Sequence, residues 1–349
     1  MTVELMGDAG ALESCVGTRP PGFHLKSISY FDEHCQTLLA VSPFAVIGVT
    51  LPDGSIRTHA IGGGPGVLQP VGATELPVPS IALGDAPDGA PVGLLSFVPG
   101  YRETLRLNGR LRVAETPVVH LEEAFLHCAK ALIRSGLWAE PDSTVAAFRG
   151  PAGDGPIDLA TTEVARFVEA CPFLVLSSVD GDGHADVSPK GDPPGLVATA
   201  LDASTLAIAD RPGNRRTDTM HNLVERDAIG VLAMIPGSPW VVEVRGRAGV
   251  TDDEAVRSKL EVTGKVPTAA IVVSADEVEM RYEAALDDAG LWDLDRHVDA
   301  ANLPKSTQVW VDHVKRNDDP GLAATAARKA VNAKVLGRSI DKDYRENLY

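Results

Sequence analysis

The chain carries an internal repeat that spans most of its length. Six residues of the first copy return in the second copy at a constant shift of 129, namely Pro43, Phe44, Asp53, Gly54, Pro65 and Gly66, which return as Pro172, Phe173, Asp182, Gly183, Pro194 and Gly195. Three later stretches repeat in the same order, residues 93–100 as 230–237, 109–110 as 246–247 and 136–138 as 290–292. This order predicts one fold built twice, and a duplicated fold has a seam between its copies where a shared site can lie.

The length and the repeat together predict two domains and a tail. A chain of 349 residues is long enough for two domains of ordinary size. Residues 139–158 are rich in Pro, Gly and Asp, which is typical of a linker. We therefore predict a first domain at residues 1–140, a linker at 141–158, a second domain at 159–298 and a helical tail at 299–349.

The hydrophobic pattern of both copies predicts a mainly β fold with peripheral helices. From residue 44 to 113, and again from 174 to 250, short apolar runs are separated by Gly and Pro, which is typical of short strands in a β-barrel or sandwich. Another strand is predicted at residues 270–273. Helices are predicted beside these strands, at residues 32–40, 121–132, 161–170, 213–226 and 252–262. The predicted class is thus a β-barrel fold of the α+β kind.

Composition argues against several classes of function. The net charge of −16 argues against nucleic acid as a partner, because binding to a phosphate backbone needs a basic surface. No apolar run approaches the roughly 20 residues that a membrane span needs. The N-terminal sequence does not resemble a signal peptide, which favours a cytoplasmic protein. The cysteines have no CxxC spacing, so they predict reduced thiols and no metal site, at Cys15, Cys35, Cys128 and Cys171.

A basic cluster in the second copy stands out because the chain as a whole is acidic. It consists of the stretch HADVSPKGDPPG at residues 184–195 and the stretch DRPGNRRTD at residues 210–218. Arginine side chains and exposed backbone N–H groups before a helix both suit phosphate oxygens. The sequence therefore predicts an anion site here, formed by Ser188, Lys190, Arg211, Asn214, Arg215, Arg216 and Thr217.

The first copy lacks this cluster but keeps a different set of polar residues. His59 and Ile61 stand at the positions of Ser188 and Lys190, and no arginine-rich turn follows them. Further along, the first copy is the richer one, with Arg106, Asn108, His127, Lys130 and Arg134 where the second has Glu243, Arg245, Arg281, Ala284 and Asp288. If each copy supplies one side of a seam, these sets make one complete site and one incomplete site.

Four motifs resemble the pyridoxamine 5'-phosphate oxidase-like family of FMN-binding split barrels. They are SPKGDPPG at 188–195, RPGN at 211–214, TLRLNGR at 104–110 and HCAKALIRSGLW at 127–138, and the ending YRENLY at 344–349 is also similar. The chain shows this pattern once in full, divided between its copies. The resemblance implies a six-stranded antiparallel split barrel in each copy. The two tandem FMN-binding barrels would pack as an intramolecular pseudo-dimer, with FMN in the groove between them.

The resemblance also implies roles for individual residues. The phosphate and ribityl chain of FMN would be held by second-copy residues, Ser188, Lys190, Arg211, Asn214, Arg215, Arg216 and Thr217. The backbone of Val187 and Pro189 would line the flavin ring. The first copy would supply Arg106, Asn108, Arg134 and Trp138 to the same site. Because the first copy lacks the lysine and the arginine turn, we expect one FMN per chain.

Catalytic candidates are fewer. Arg106 or Lys190 would place a positive charge at the ring edge and stabilise reduced flavin, while His127 and Lys130 would face the substrate or be structural. The candidates for catalysis are therefore Arg106, His127 and Lys130. No strong pair of nucleophile and base is present in the sequence.

The function implied by the resemblance is FMN-dependent oxidoreduction of a small molecule, with a separate electron donor or acceptor. Oxidation of pyridoxamine phosphate itself is disfavoured, because the end of the chain lacks an Arg-x-His-type motif. Three alternatives stay open: an F420-dependent reductase, a non-catalytic flavin-binding module, and a haem-binding protein with an axial ligand among His59, His127, His184 and His221. The chain would act as a monomer, its copies forming the pseudo-dimer, or would dimerise further.

Overall fold

The computed structural model describes residues 3–20, 22–152, 155–213 and 216–349. The fold is mainly β and consists of two curled antiparallel sheets in tandem, with helices around them. This confirms the fold class expected from the sequence. None of the helices in the described ranges is both long and apolar enough to cross a membrane.

The first sheet has six strands in the order β2-β1-β4-β5-β6-β3, and every neighbouring pair is antiparallel. Its strands are Phe44–Thr50 (β1), Ile56–Gly62 (β2), Glu75–Pro77 (β3), Pro91–Phe97 (β4), Thr104–Arg112 (β5) and Val118–His127 (β6). Strand β1 is apolar along its whole length and buried on both faces, because one face packs into its own barrel and the other faces the second copy.

The second sheet has seven strands rather than the expected six, in the order β8-β7-β11-β12-β13-β10-β9. Its strands are Phe173–Val179 (β7), Ala185–Gly191 (β8), Ala198–Ala200 (β9), Thr205–Ala209 (β10), Ala228–Met234 (β11), Trp240–Thr251 (β12) and Ala270–Tyr282 (β13). The additional strand β9 is only three residues long and pairs with β10 at the edge of the sheet.

Ten α-helices surround the sheets in the described ranges. They are Ala9–Val16 (α1), Glu33–Val41 (α2), Lys130–Ser135 (α3), Thr162–Ala170 (α4), Asp218–Glu225 (α5), Glu254–Arg257 (α6), Ala284–Ala289 (α7), Ser306–Arg316 (α8), Leu322–Ala330 (α9) and Ala333–Glu346 (α10). The helix predicted at 252–262 is reduced to α6 followed by one 3-10 turn, and the helix predicted at 213–226 begins only at Asp218.

One predicted helix was wrong. Residues 121–132 form the second half of β6 and the start of α3, not one helix. Leu121 and Phe125 are spaced as on a helix, but Leu121 and Val119 are also buried residues that alternate with the exposed residues His120 and Glu122. Strand β6 pairs with β5 along its whole length. The hydrogen bonds and the burial in this pairing stabilise a strand here rather than a helix.

The structure contains the same internal repeat as the sequence. Strands β1 and β2 return as β7 and β8 at the shift of 129, and β6 and α3 return inside β13 and as α7 at a shift of 154. Both long hairpins carry a bulge at the same place, between Asn108 and Gly109 and between Arg245 and Gly246. The two copies therefore share details of backbone geometry, which supports an origin by duplication.

The seam between the copies is an apolar core with near-twofold contacts. Phe97 of the first copy packs edge-on against Phe173 of the second, with ring centroids 6.0 Å apart. A Cβ on Gly191 would lie 2.1 Å from the carbonyl oxygen of Ala131, and a Cβ on Gly62 would lie 1.8 Å from that of Ala285. These glycines stand at equivalent positions and let each copy's helix approach the other copy's strand closely.

The tail binds to the first copy and then returns to the seam. Helix α8 packs into the first core, where the indole N–H of Trp310 donates to the carbonyl of Leu126 at 2.7 Å. Arg316 forms ion pairs with Asp32 and Glu33 beside α2. These contacts fix the start of the tail, so that α10 runs back towards the end of β6.

Candidate functional site

A groove of about 400 Å³ lies between the copies, at the end of β6 in the first and of β8 in the second. Its wall contains six basic side chains and three carboxylates, namely Arg106, Lys130, Arg134, Lys190, Arg211, Arg216, Asp210, Asp218 and Asp343. In a chain with a net charge of −16, this excess of positive charge marks the groove as a place for an anionic ligand.

Strand β8 forms one wall of the groove. Its alternation buries Val187 against Gly93 of the first copy and leaves Ser188 and Lys190 at the groove. The ammonium of Lys190 lies 3.0 Å from the carboxylate of Asp210, and both side chains are mostly buried. Pro189 also lines the groove.

Arg211 follows β10 and is almost completely buried. Its Nε donates to Asp192 at 2.6 Å, and its Nη2 donates to the carbonyls of Leu196 and Leu260 at 3.2 and 2.7 Å. Burial raises the pKa of Asp192, although Arg211 and Arg134 act to lower it. Arg211 therefore holds the segment that follows β10 in place and presents only part of its guanidinium to the groove.

Several described residues between β10 and α5 line the groove. Gly213 lines the groove, and a Cβ built on it would meet only one atom within 4 Å, so its backbone is sterically open. Asn214 and Arg215, both predicted to hold phosphate, lie outside the described residues. Thr217 lines the groove with a left-handed backbone (φ 52°) directly before α5.

Arg216 joins the two copies. Its guanidinium forms ion pairs with Asp218 of α5 and with Glu123 of the first copy, and lies 3.8 Å from the ring centre of Phe125. Burial alone would raise the pKa of Glu123, but the charges of Arg216 and Arg106 outweigh it and the pKa is lowered. The carboxylate thus stays ionised, and Arg216 is held by carboxylates as well as open to the groove.

Arg106 is the first copy's central contribution. Only 2% of its side chain is exposed. It pairs with Asp186 of β8, donates to the hydroxyl of Ser188 at 3.2 Å and lies 3.5 Å from Asp218. Its buried Nε has no hydrogen-bond partner among the described residues. Strand β5 thus places a positive charge from the first copy directly beside the strand that carries Ser188.

Lys130 and Arg134 of α3 are held by the tail. The ammonium of Lys130 lies 2.8 Å from Asp343 and donates to the carbonyl of Asn347 at 2.9 Å. Arg134 donates to the carbonyl of Gly191 in β8 at 2.8 Å and to that of Leu348 at 2.9 Å. Asp343 was not predicted as a site residue, because no sequence motif marks it, although the adjacent ending at 344–349 was part of the family resemblance.

His127 lies at the junction of β6 and α3, in the wall of the groove. Its Nδ1 is 3.2 Å from the carbonyl of Cys128, which can only accept, so Nδ1 carries the proton and Nε2 is the acceptor. Burial, together with the charge of Arg106, holds the pKa of His127 well below its usual range. At neutral pH this imidazole is therefore uncharged, and its Nε2 can accept a hydrogen bond.

Three of the predicted site residues that the structure describes do not line the groove: Val187, which is buried against Gly93, and also Asn108 and Trp138. Asn108 donates to Glu123 at 2.9 Å, behind Arg216, and supports the network from a distance. The indole of Trp138 donates to the carbonyl of Tyr101 at 2.7 Å and packs against Phe97 at the seam. Asn108 and Trp138 therefore both support the site through its neighbours.

The equivalent place in the first copy is filled with protein side chains. Glu243, which stands where the first copy has Arg106, accepts from the backbone N–H of Thr58 at 3.0 Å and pairs with Arg281. His59, at the position of Ser188, is mostly buried, and burial together with Arg281 lowers its pKa to about 4. The basic residues that line the groove have no counterparts here.

Comparison with known proteins agrees with this geometry. Residues 160–282 match the family model described as pyridoxamine 5'-phosphate oxidase. No curated protein matches the chain. Matching solved structures include HupZ of Group A Streptococcus (15% identity, 35% of this chain and 94% of that one, TM-score 0.30), an F420 reductase (15%, 37% and 98%, 0.26) and HutZ, the haem storage protein of Vibrio cholerae (11%, 36% and 97%, 0.27).

The matched range begins beside α4 and ends with β13, so it coincides with the second copy. That copy carries Ser188 and Lys190, while the first copy, outside the match, has six strands in the matching order without described counterparts of β9, α5 and α6. The resemblance expected from the sequence is thereby confirmed: the chain is a tandem split-barrel protein whose second copy carries the sequence pattern of the pyridoxamine 5'-phosphate oxidase family.

Proposed function

We propose that the chain is an FMN-dependent oxidoreductase that holds one FMN in the groove between its copies and acts on a small molecule. One observation carries this proposal. The basic wall of the groove comes from both copies, with Lys190, Arg211 and Arg216 from the second and Arg106 and Arg134 from the first. In this arrangement the two copies act as an intramolecular pseudo-dimer with one complete site.

The groove fits a flavin phosphate in size and in charge. A volume of about 400 Å³ lies in the range of small-molecule sites, roughly 300–1,000 Å³. Lys190 has a single carboxylate partner, Asp210, and so keeps donors for a phosphate. The open backbone at Gly213, between β10 and α5, suits close approach of phosphate oxygens. Lys190, Ser188 and Gly213 would therefore hold the phosphate end.

FMN would supply hydride or single-electron transfer, and the protein would supply orientation and local charge. Arg106 is buried and positively charged, so it would stabilise negative charge that develops beside Ser188. His127 is neutral with Nε2 as a hydrogen-bond acceptor, so it would accept a hydrogen bond from a bound substrate and orient it, while its lowered pKa disfavours proton uptake. The apolar seam around Phe97 and Phe173 would exclude water behind the site.

The incomplete site is expected to bind no second flavin. Where a phosphate would need cations, the first copy offers His59 and Ile61, and Arg281 is already engaged by Glu243. Arg281 pairs with Glu279 as well, which adds negative charge. The charges there therefore disfavour an anionic cofactor.

The experiment that tests this proposal is a visible absorption spectrum of the purified protein, with the released cofactor quantified per chain. Absorption at about 375 and 450 nm with about one FMN per chain would support it. A ratio of two FMN per chain would contradict the composite site. A band at about 420 nm would indicate F420, and one at about 410 nm would indicate haem with His127 as the candidate ligand at the groove.

A further inference from the structure

A second cavity of about 330 Å³ lies beside the groove, between the end of β6 and the tail. We call it the side cavity. Its wall comes from the segment 20–26, from β6, from α8 and from α10, and includes Phe23, Lys26, Leu126, Trp310, Ile340 and Tyr344. None of these six residues was a predicted site residue, and none of them lines the groove itself.

The wall of the side cavity is mainly aromatic and aliphatic. Phe23 and Trp310 supply rings, and Leu126, Leu336 and Ile340 supply aliphatic surface from β6 and α10. A dry wall of this kind attracts flat apolar ligands through burial and ring contacts. The part of the ligand that enters this space is therefore expected to be an aromatic ring or a similar flat apolar group.

Lys26 gives this apolar cavity a positive charge. Its ammonium lies 5.3 Å from the ring centre of Trp310, which is a cation–π contact. Asp343 also lines the cavity, but its carboxylate pairs with Lys130, and Lys26 forms no salt bridge among the described residues. Burial lowers the pKa of Lys26, and Arg216 lowers it further, although Cys128 acts in the opposite direction. A half-buried ammonium without an ion-pair partner is stabilised by a bound anion.

The side cavity shares part of its wall with the groove. Cys128, Lys130, Arg216 and Asp343 line both spaces. A molecule in the side cavity would therefore lie next to a cofactor in the groove, separated by side chains rather than by backbone. Tyr344 adds a polar group, because its oxygen accepts from the N–H of Ala129 at 3.0 Å and its hydroxyl proton stays free to donate.

We propose that the side cavity is the substrate site, and that it takes a flat aromatic molecule with one carboxylate or phosphate, whose negative charge pairs with Lys26. The assignment of the side cavity as a substrate site rests on the proposed function, whereas the expected binding of such a molecule does not. Helix α10 forms the outer wall through Leu336 and Ile340, so the tail completes the site.

The test uses two naphthalene probes of nearly equal shape, 2-naphthoate, which is charged, and 2-naphthalenemethanol, which is neutral. Binding to the full-length protein is followed by calorimetry and by quenching of tryptophan fluorescence. The wild-type protein should bind naphthoate about tenfold or more tightly than the alcohol, since a charge-assisted bond is worth about 1.5–3 kcal/mol. Equal affinity for both probes in the wild-type protein would overturn the proposal without any variant.

Three variants sharpen the result. Lys26→Met should weaken naphthoate by about tenfold and leave the alcohol unchanged, because the apolar wall remains. Ile340→Trp should weaken both probes, because it fills the cavity from α10. Lys334→Met, a matched change at an exposed lysine of the same helix, should change neither. Naphthoate binding by Lys26→Met at wild-type affinity, or retention of both probes by Ile340→Trp, would refute the site.

FMN titration of the same proteins separates the two proposals. Lys26→Met should bind FMN as the wild-type protein does, because Lys26 lines only the side cavity. If no protein in the set binds FMN while the naphthoate preference depends on Lys26, the proposed function fails and the side cavity stands. If FMN binds and no probe discriminates, the side cavity fails and the proposed function stands.

Discussion

Replacement of Lys190 by Met tests the composite site most directly. Lys190 stands in β8 at the groove, with its ammonium 3.0 Å from Asp210. The equivalent position in the first copy holds Ile61, which is buried in the first core. Lys190→Met and Ile61→Met therefore place the same residue at two positions related by the repeat, and only one of the two changes removes a charge.

The expected magnitude follows from the partners of Lys190. The side chains of Lys190 and Asp210 are 16% and 18% exposed, so loss of the ammonium leaves a mostly buried carboxylate unpaired and should cost the folded protein about 1–3 kcal/mol. A charge-assisted bond to a phosphate is worth about 1.5–3 kcal/mol. The affinity for FMN should accordingly fall about 10- to 150-fold.

Quenching of flavin fluorescence on titration with apoprotein measures this affinity, and a thermal scan of each apoprotein controls for folding. Ile61→Met should bind FMN within about threefold of the wild-type protein, because hydrophobic exchange of similar volume costs little. The reasoning is refuted if Lys190→Met keeps wild-type affinity, or if the two variants lose affinity to the same extent.

Three further results are expected. Gly191→Ala should lower stability by roughly 1–3 kcal/mol in denaturant unfolding, because its Cβ would lie 2.1 Å from the carbonyl of Ala131; Gly64→Ala, with nothing within 4 Å, should have no effect. The pKa of His59 is about 4 when folded and 6.5 ordinarily, so the unfolded chain binds the proton first and stability falls as pH drops through this interval; His59→Leu should flatten that slope in thermal scans at pH 7 and 5. Removal of residues 333–349 should speed FMN release in stopped-flow fluorescence, because Lys130 loses both tail partners, and an unchanged rate would contradict a covering role.

Much of the fold could be predicted because the sequence contains the same pattern of strands and turns in two copies. The constant shift of 129 across residues 43–66 allowed no insertion, so strands and turns had to match, and β1, β2, β7 and β8 do match. The helix predicted at 121–132 was wrong because apolar spacing at positions 121 and 125 fits a helix and a half-buried strand alike. Only the neighbouring strand β5, which the sequence does not identify as a partner, resolves this ambiguity.

The types of residue in the candidate site could be predicted from the sequence, but the residues that pair with them could not. Arg106, Lys190 and Arg216 were expected as ligand-binding cations, and each is also paired with a carboxylate of the chain. Asp186 and Asp210 lie within the basic stretches, although the sequence does not show that they pair with these cations, whereas Glu123 lies 93 residues from Arg216 and no motif marks it. The side cavity escaped prediction for the same reason, because Lys26 and Trp310 are nearly three hundred residues apart and meet only when the tail folds back.

The two places related by the repeat differ in their charges, and this difference explains why only one of them is expected to bind an anion. In the complete groove, six cations and three carboxylates line the wall, and further partners such as Asp186 and Glu123 lie behind it, so the groove presents more cations than carboxylates to a ligand. In the incomplete one, Glu243 stands where Arg106 would be, and Arg281 neutralises it from β13. A ligand there would have to displace this internal ion pair. Under the proposed function, loss of opposite halves would leave one complete site, which loss of the same half in both copies would not.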